Sequence, residues 1–216
     1  LVVASMFGNT TECINIASKC IEEAGYEVLV FHATGMGGKT MESLIESGMV
    51  EGVLDITTTE WADEITGATL SAGPNRMDAM SLAKVPSVVS VGCVDMANFG
   101  ERDSVPTEFE GRNFYIHNPQ VTLMRTNLEE NRQLGQVITE KANANAAPTV
   151  IMLPKKALSV ISAEGQPFYE PEADKALFDT IKDKAKVPVL EFDNEINDEV
   201  FALAAAKKLL ELMAKK

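Results

Sequence analysis

Short apolar runs alternate with segments of helical periodicity along the chain, and this alternation constrains the fold more than any other feature of the sequence. The apolar runs lie at residues 1–6, 26–32, 53–57, 86–93, 149–153 and 187–192, and the helical segments at 12–24, 39–47, 127–145, 173–184 and 198–215. Runs this short and this apolar are typical of strands buried in a parallel sheet. We therefore expect an α/β fold, a Rossmann-like, doubly wound, mostly parallel sheet with helices on both faces, in a single domain over residues 1–216.

The charge balance excludes two classes of partner. The 216 residues carry 19 Lys and Arg against 32 Asp and Glu, a formal net charge of −13. Nucleic acids and anionic membranes both attract basic surfaces, so we expect neither as a partner. The sequence has no signal peptide and no apolar run of about 18 residues, which predicts a cytoplasmic protein. The chain opens with LVVASMFG, directly in the first predicted strand and without Met, so we expect a fragment whose N-terminal half is missing.

The cysteines and histidines do not form a metal-binding pattern. Cys13, Cys20 and Cys93 include no C-x-x-C pair, and neither His32 nor His117 lies in a cluster with zinc-ligand spacing. The sequence therefore predicts reduced thiols in the core and no metal site.

Polar and glycine-rich sequence follows the predicted strands, where open α/β sheets bind their ligands. Gly8 and Asn9 follow the first strand, and Asp95 and Asn98 follow the fifth. The second strand leads into HATGMGGKT at residues 32–40, which ends like a Walker A loop but has Ala33 where that motif places its first glycine.

Two glycine-containing turns are the candidate phosphate contacts. Their residues are Thr34, Gly35, Gly37, Gly38 and Thr40 in the first turn, and Ser71, Gly73 and Arg76 in the second. Glycines allow a ligand oxygen to approach the backbone amides, and a helix N-terminus attracts phosphate. The alternative is that these turns only join strands to helices, as glycine turns do in every α/β domain.

An enzyme is the alternative function. The irregular segment 95–118 has the length of a lid over a small phosphorylated or carboxylated metabolite. His32, Asp95 and Glu60 are its candidate acid–base residues. A protein-interaction module, in which a nucleotide only stabilises a binding surface, is a third hypothesis.

Ordered blocks over nearly the whole chain resemble one protein family. They include GYEVLVFHATGMGGKTMESLIESG, LSAGPNRMDA, VVSVGCVDMANFG, YIHNPQVTLMRTN and EFDNEINDEVFALAAA. In these blocks the chain is similar to the ATP-binding family named after the tomato mosaic virus resistance protein.

The resemblance implies a ligand but not a reaction. It implies the second of two Rossmann-like halves of an N-terminal module, with the missing first half as a partner. It also implies a homodimer that binds ATP, with or without magnesium. The glycine loop at 34–38 and the SAGP turn at 71–74 match the family's glycine-rich blocks. We therefore predict a nucleotide-binding domain whose phosphate contacts lie in these two turns.

Overall fold

A six-stranded parallel sheet forms the centre of the computed structural model, which describes residues 1–215. Its strands lie side by side in the order β2-β1-β3-β4-β8-β9. They span Val2–Met6 (β1), Val28–His32 (β2), Gly52–Thr57 (β3), Ser87–Gly92 (β4), Thr149–Pro154 (β8) and Val189–Phe192 (β9). All neighbouring strands pair in parallel. The inner strands β3, β4 and β8 are buried throughout because helices cover both of their faces, which explains their continuous apolar sequence.

Helices pack on both faces of this sheet, so the doubly wound α/β fold predicted from the sequence is confirmed. The helices are α1 (Thr11–Glu23), α2 (Met36–Glu46), α3 (Glu60–Thr66), α4 (Ala79–Leu82), α5 (Leu128–Ala144), α6 (Pro171–Lys184) and α7 (Glu199–Met213). Helices α1 and α7 share one core with the sheet, and α2 to α6 share the other. In the described chain, no helix is long and apolar enough to cross a membrane.

A second, three-stranded antiparallel sheet lies between β4 and α5 in the chain. It consists of β5 (Met96–Phe99), β6 (Phe114–Asn118) and β7 (Val121–Arg125), in the order β5-β7-β6. The prediction that residues 95–118 are irregular was therefore wrong at both ends of the segment. Strand β5 pairs with the more distant β7, a tertiary contact that leaves no local pattern in the sequence. Strands β6 and β7 form a hairpin in which Asn118 pairs with Val121, but polar residues in β6 obscure its alternation.

Candidate functional site

The strand order reverses at β1, which lies between β2 and β3. In open α/β sheets this position leaves a crevice outside the carboxyl ends of the strands. The turn after β1 is tied to β3 there, because the hydroxyls of Thr10 and Thr57 lie 2.8 Å apart and the Ser5 hydroxyl accepts from the Thr57 amide at 2.9 Å. The floor of the crevice is thus held by short polar contacts.

A cavity of about 440 Å³ opens beside this turn. Its lining consists of Phe7, Gly8, Asn9, Asn98, His117, Val121, Leu123 and Val160. One wall is the turn that leads into α1, and the opposite wall is one face of the small sheet. Asn98 lies on the same face as Leu123 because the two residues are direct partners in the β5–β7 ladder. The cavity therefore joins a helix N-terminus to a mostly apolar sheet face.

Asn98 is a buried residue of the cavity lining with an unusual set of hydrogen bonds. It is only 2% exposed. Its backbone amide and its Nδ2 both donate to Oδ1 of Asp63, at 2.8 and 3.1 Å. Its Oδ1 is buried and has no partner among residues 1–215. An unsatisfied buried acceptor costs about 1–3 kcal/mol, and this is the kind of group that a ligand or a water molecule satisfies.

Asp63 holds the Asn98 side chain from below. The Asp63 Oδ2 accepts from the Leu70 amide at 2.7 Å, so both carboxylate oxygens receive donors. Burial is the largest influence on this carboxyl group and raises its pKa to about 7, against the lowering effect of the Asn98 and Leu70 hydrogen bonds. The nearby charge of Glu60 raises the pKa further.

The amides of the glycine loop at 34–38 hold a carboxylate of the protein itself. Oε1 of Glu60 accepts from the Gly35 amide at 2.8 Å and from the Gly38 amide at 3.0 Å. Each of the three glycines is also required sterically. A Cβ would lie 2.8 Å from the Ser71 carbonyl oxygen at Gly35, 1.7 Å from the His32 carbonyl oxygen at Gly37, and 2.3 Å from Oε2 of Glu60 at Gly38. The loop therefore fits around an internal anion.

Arg76 lies beneath that loop and is paired on every side. It is 1% exposed and makes a bidentate contact with Asp55, with both N···O distances at 2.7 Å. Its Nε donates to Glu60 at 2.6 Å, and one terminal nitrogen donates to Glu42 at 3.1 Å. Although burial alone would lower it, the charge of Asp55 and its neighbours raises the pKa of Arg76 well above its ordinary value. Burial also raises the pKa of Glu42.

The second predicted turn is satisfied within itself. The Ser71 hydroxyl donates to Glu64 and accepts from the Gly73 amide at 2.8 Å. Gly73 has a φ of +86°, which glycine adopts without strain. In the first turn, Thr34 and Thr40 are exposed, and the Thr40 hydroxyl donates to the Met36 carbonyl at 2.8 Å. The predicted phosphate contacts thus lie near one another, but their buried donors already have protein partners.

The three candidate acid–base residues do not meet. His32 is exposed at the end of the edge strand β2. Asp95 is fully buried, its Oδ2 accepts from the Ser159 hydroxyl at 2.7 Å, and burial raises its pKa. Glu60 is held by Arg76 and the glycine loop. None of the three lines the cavity.

A second cavity, of about 610 Å³, lies near the carboxyl ends of β8 and β9. Some of its charged lining residues pair with one another, as Lys182 does with Glu191 at 3.3 Å. Within residues 1–215, no cluster of His, Cys, Asp or Glu has the arrangement of a metal site. The cavity at the β1–α1 turn therefore remains the best candidate, because it lies at the switch point and combines an apolar lining with a few polar groups.

Sequence analysis placed Gly8, Asn9 and Asn98 after strands but did not select them as ligand contacts. His117 was considered only as a lone histidine. For Gly8, Asn9 and Asn98 the signal in the sequence was their position just after a predicted strand. Nothing local in the sequence brings positions 8, 98 and 117 together.

The chain resembles several proteins over its whole length. Residues 1–213 match the C-terminal domain of an uncharacterised protein family, UPF0261. The chain is 55% identical to a UPF0261 protein of Clostridium tetani, over 100% of this chain and 54% of that protein. It is 42% identical to the ToMV resistance protein Tm-1(GCR237) of Solanum lycopersicum, over 99% of this chain and 29% of that protein. It is also 42% identical to a UPF0261 protein of Mesorhizobium japonicum, over 94% of this chain and 52% of that protein.

The chain thus spans about half the length of its bacterial relatives and less than a third of the tomato protein. Among solved structures, an esterase domain from a Rhodothermus marinus protein superposes with a TM-score of 0.49 at 12% identity, over 99% of this chain and 85% of that one.

Proposed function

This chain belongs to the UPF0261 family, and we propose that it binds a nucleotide, ATP, in the cavity beside the turn between β1 and α1. The observation that carries the proposal is the cavity of about 440 Å³ beside the switch point of the sheet, with a mostly apolar lining and a few polar groups. Small-molecule sites are typically apolar clefts of about 300–1,000 Å³ with a few fixed polar groups. The cavity has that size and that composition.

The two ends of the cavity suit the two ends of a nucleotide. Val121 and Leu123 provide an apolar surface for a planar base, next to Asn98. Gly8 and Asn9 lie at the opposite wall, in the turn that begins α1, a helix of 13 residues. The first amides of a helix have no partner within it, and the helix dipole favours a negative charge there. The Cys13 amide already donates to Asn197 Oδ1 at 3.2 Å and the Thr10 amide to the Phe7 carbonyl at 2.8 Å, so the phosphates would meet the amides of Gly8 and Asn9. We therefore place the base at the small sheet and the phosphates at this turn.

Magnesium has a defined role in this proposal. Among the described residues that line the cavity, none is Lys or Arg, and the whole chain has a net charge of −13. The phosphate charges would thus rest mainly on backbone amides of the turn. We expect Mg²⁺ to strengthen ATP binding, because the bound ion neutralises part of the phosphate charge that the cavity lining has no Lys or Arg to balance.

The phosphates are proposed to bind at the turn before α1 and not at the glycine loop. Glu60 already occupies the amides of Gly35 and Gly38, and Arg76 is paired with three carboxylates. A phosphate at the loop would have to displace a buried ion pair, which is costly.

A pair of variants distinguishes the two sites. At Gly8 a Cβ would meet no atom within 4 Å, so Gly8→Leu is compatible with the fold while it fills space at the cavity wall. Thr34→Val is the matched control, since Thr34 is exposed in the glycine loop. Calorimetric titration of ATP, with and without Mg²⁺, should show binding to the wild type and to Thr34→Val, and at least about tenfold weaker binding to Gly8→Leu. Loss of binding in Thr34→Val alone would return the site to the glycine loop, and no binding to the wild type would refute the proposal.

An enzyme acting on a small phosphorylated or carboxylated metabolite is the second candidate. The observation in its favour is His117, a titratable side chain at the cavity that comes from the segment predicted as a lid. The test is a screen for turnover of phosphorylated metabolites. An activity that survives His117→Gln would remove this residue from the mechanism.

A further inference from the structure

The second cavity, of about 610 Å³, lies between the segment that leads into α6 and the carboxyl ends of β8 and β9. Open α/β sheets bind small molecules at this edge. Arg125, which is 1% exposed, fixes the segment from behind. Its Nε donates to the Phe168 carbonyl at 2.9 Å, and a terminal nitrogen donates to the Glu170 carbonyl at 3.3 Å. One wall of the cavity is therefore held in place by buried hydrogen bonds.

Asp174, in the first turn of α6, brings a free carboxylate oxygen to this cavity. The residue is 7% exposed and belongs to the lining. Its Oδ1 accepts from Arg125 at 2.5 Å, whereas its Oδ2 has no hydrogen-bond partner within residues 1–215. Unlike Oδ1 of Asn98, this oxygen is not fully enclosed, so a molecule in the cavity can reach it. The cavity thus contains an acceptor that requires a donor from outside the described chain.

The charges around Asp174 favour a cationic donor. Asp174 and the fully buried Asp95 both lie near Arg125, so two carboxyl groups share one guanidinium. Burial is the largest influence on Asp174 and raises its pKa to about 6, against the lowering effect of Arg125, while the charges of Asp95 and Glu170 raise the pKa further. Oδ2 of Asp95 accepts from the Ser159 hydroxyl at 2.7 Å, and Asp95 does not line the cavity. A positive group at Oδ2 of Asp174 would therefore balance a local excess of negative charge.

The rest of the lining combines aromatic surface with unpaired charges of both signs. Phe178 lies one helical turn after Asp174 and on the same face of α6, so it adjoins the free oxygen. Tyr169 adds a second aromatic side chain. Among the described residues, neither Lys155 nor Glu195 has an ion-pair partner, although both line the cavity and are exposed. The lining therefore offers a buried anion, an apolar surface beside it, and a free cation and anion at the exposed rim.

We propose that the second cavity binds a basic amino acid, with the side-chain ammonium group at Oδ2 of Asp174 and the α-carboxylate at Lys155. An ammonium group supplies donors and positive charge together, and its aliphatic chain gains by burial against Phe178. Glu195 is then available to the α-amino group. A phosphorylated ligand would instead bring negative charge towards Asp174, and like charges in contact are costly. This site is separate from the cavity proposed for the nucleotide.

The first test compares ligands that lack one charged group each. Wild-type protein is titrated by calorimetry at pH 8 with L-lysine, with L-norleucine, which has no side-chain ammonium, and with cadaverine, which has no carboxylate. We expect L-lysine to bind, and the other two to bind at least about tenfold more weakly. L-ornithine and L-arginine complete the class. No binding of any of the three basic amino acids, or equal binding of L-lysine and L-norleucine, would overturn the proposal.

Three variants connect the ligand groups to the residues. Asp174→Asn keeps Oδ1 for Arg125 but replaces the free oxygen with an NH₂ group, so L-lysine should bind at least about tenfold more weakly. Asp183→Asn is the matched control, since Asp183 is exposed on the same helix and does not line the cavity. Lys155→Gln should bind L-lysine and cadaverine to within about twofold of each other, because the partner of the carboxylate is gone.

The outcomes of these variants are decisive together with their melting temperatures. Wild-type affinity for L-lysine in a folded Asp174→Asn would refute the role of Asp174. If that variant does not fold, the ligand series and Lys155→Gln decide, since Lys155 is exposed. Gly8→Leu should bind L-lysine as the wild type does, because Gly8 lines only the other cavity. Failure of this proposal is thereby distinguished from failure of the nucleotide site.

Discussion

Replacement of Glu60 by Gln tests whether an internal carboxylate holds the glycine loop. Glu60 accepts from the amides of Gly35 and Gly38 with Oε1 and from Nε of Arg76 with Oε2, at 2.6 Å. A glutamine keeps one oxygen for the two amides. Its NH₂ group, however, then faces the N–H of Arg76, so a buried charge-assisted hydrogen bond is replaced by two opposing donors.

The expected cost follows from what Arg76 retains. Removal of one partner from a buried ion pair costs about 3–5 kcal/mol. Arg76 keeps both contacts with Asp55 and the one with Glu42, so we expect the lower end, about 3 kcal/mol. For a chain of this size each kcal/mol lowers the melting temperature by about 2–4 °C, which gives a decrease of about 6–12 °C.

Differential scanning calorimetry and urea denaturation measure this change. The matched control is Glu22→Gln, which removes the same charge from an exposed position on α1. A melting temperature for Glu60→Gln within about 2 °C of that control would refute the reasoning, because it would mean that Glu60 does not hold the loop. ATP affinity well below the melting temperature should stay near the wild-type value, since Glu60 does not line the cavity.

Three further predictions concern backbone crowding, pH and thiol reactivity. Gly37→Ala should lower the free energy of unfolding by at least about 3 kcal/mol in a denaturant titration, because the new Cβ would lie 1.7 Å from the His32 carbonyl oxygen; an unchanged midpoint would contradict the local geometry. The pKa of Asp63 rises on folding to about 7, so its contribution to stability is greatest below about pH 4 and declines as the pH rises to 7, by about 4 kcal/mol in total. The free energy of unfolding of Asp63→Asn should therefore change less over this range than that of the wild type, and parallel pH profiles would contradict the shift. Cys20 alone should react rapidly with a thiol reagent in the native protein, because the other two thiols are fully buried and burial raises their pKa values; release of more than one equivalent before unfolding would be inconsistent with this packing.

The parallel sheet could be predicted from the sequence because its pattern is local. Strands β3, β4 and β8 are covered on both faces, so each appears as a continuous apolar run. The small sheet could not be predicted in the same way. Strand β5 finds its partner β7 only in the folded protein, and polar residues in β6 obscure the β6–β7 hairpin although it is local in sequence.

The candidate site shows the same division between local and tertiary information. The glycines of the loop at 34–38 were predicted as phosphate contacts, and the sequence did not reveal that Glu60 accepts from the amides of Gly35 and Gly38. That contact joins residues 22 to 25 positions apart. ATP as the ligand and the homodimer stay predictions that binding and sedimentation experiments test.

The walls of the cavity come from positions as far apart as Phe7 and Val160. They meet only after β4 and β8 have paired and the small sheet has packed against the turn that precedes α1. Neither a partly folded chain nor an isolated half of the sheet contains this site. Any molecule that enters it therefore binds the native state alone, and at about a hundred times its Kd it would add about 2.7 kcal/mol to the free energy of unfolding. A thermal-shift screen of metabolites would therefore detect ligands by the rise in melting temperature of the native fold, and it needs no assay for a reaction.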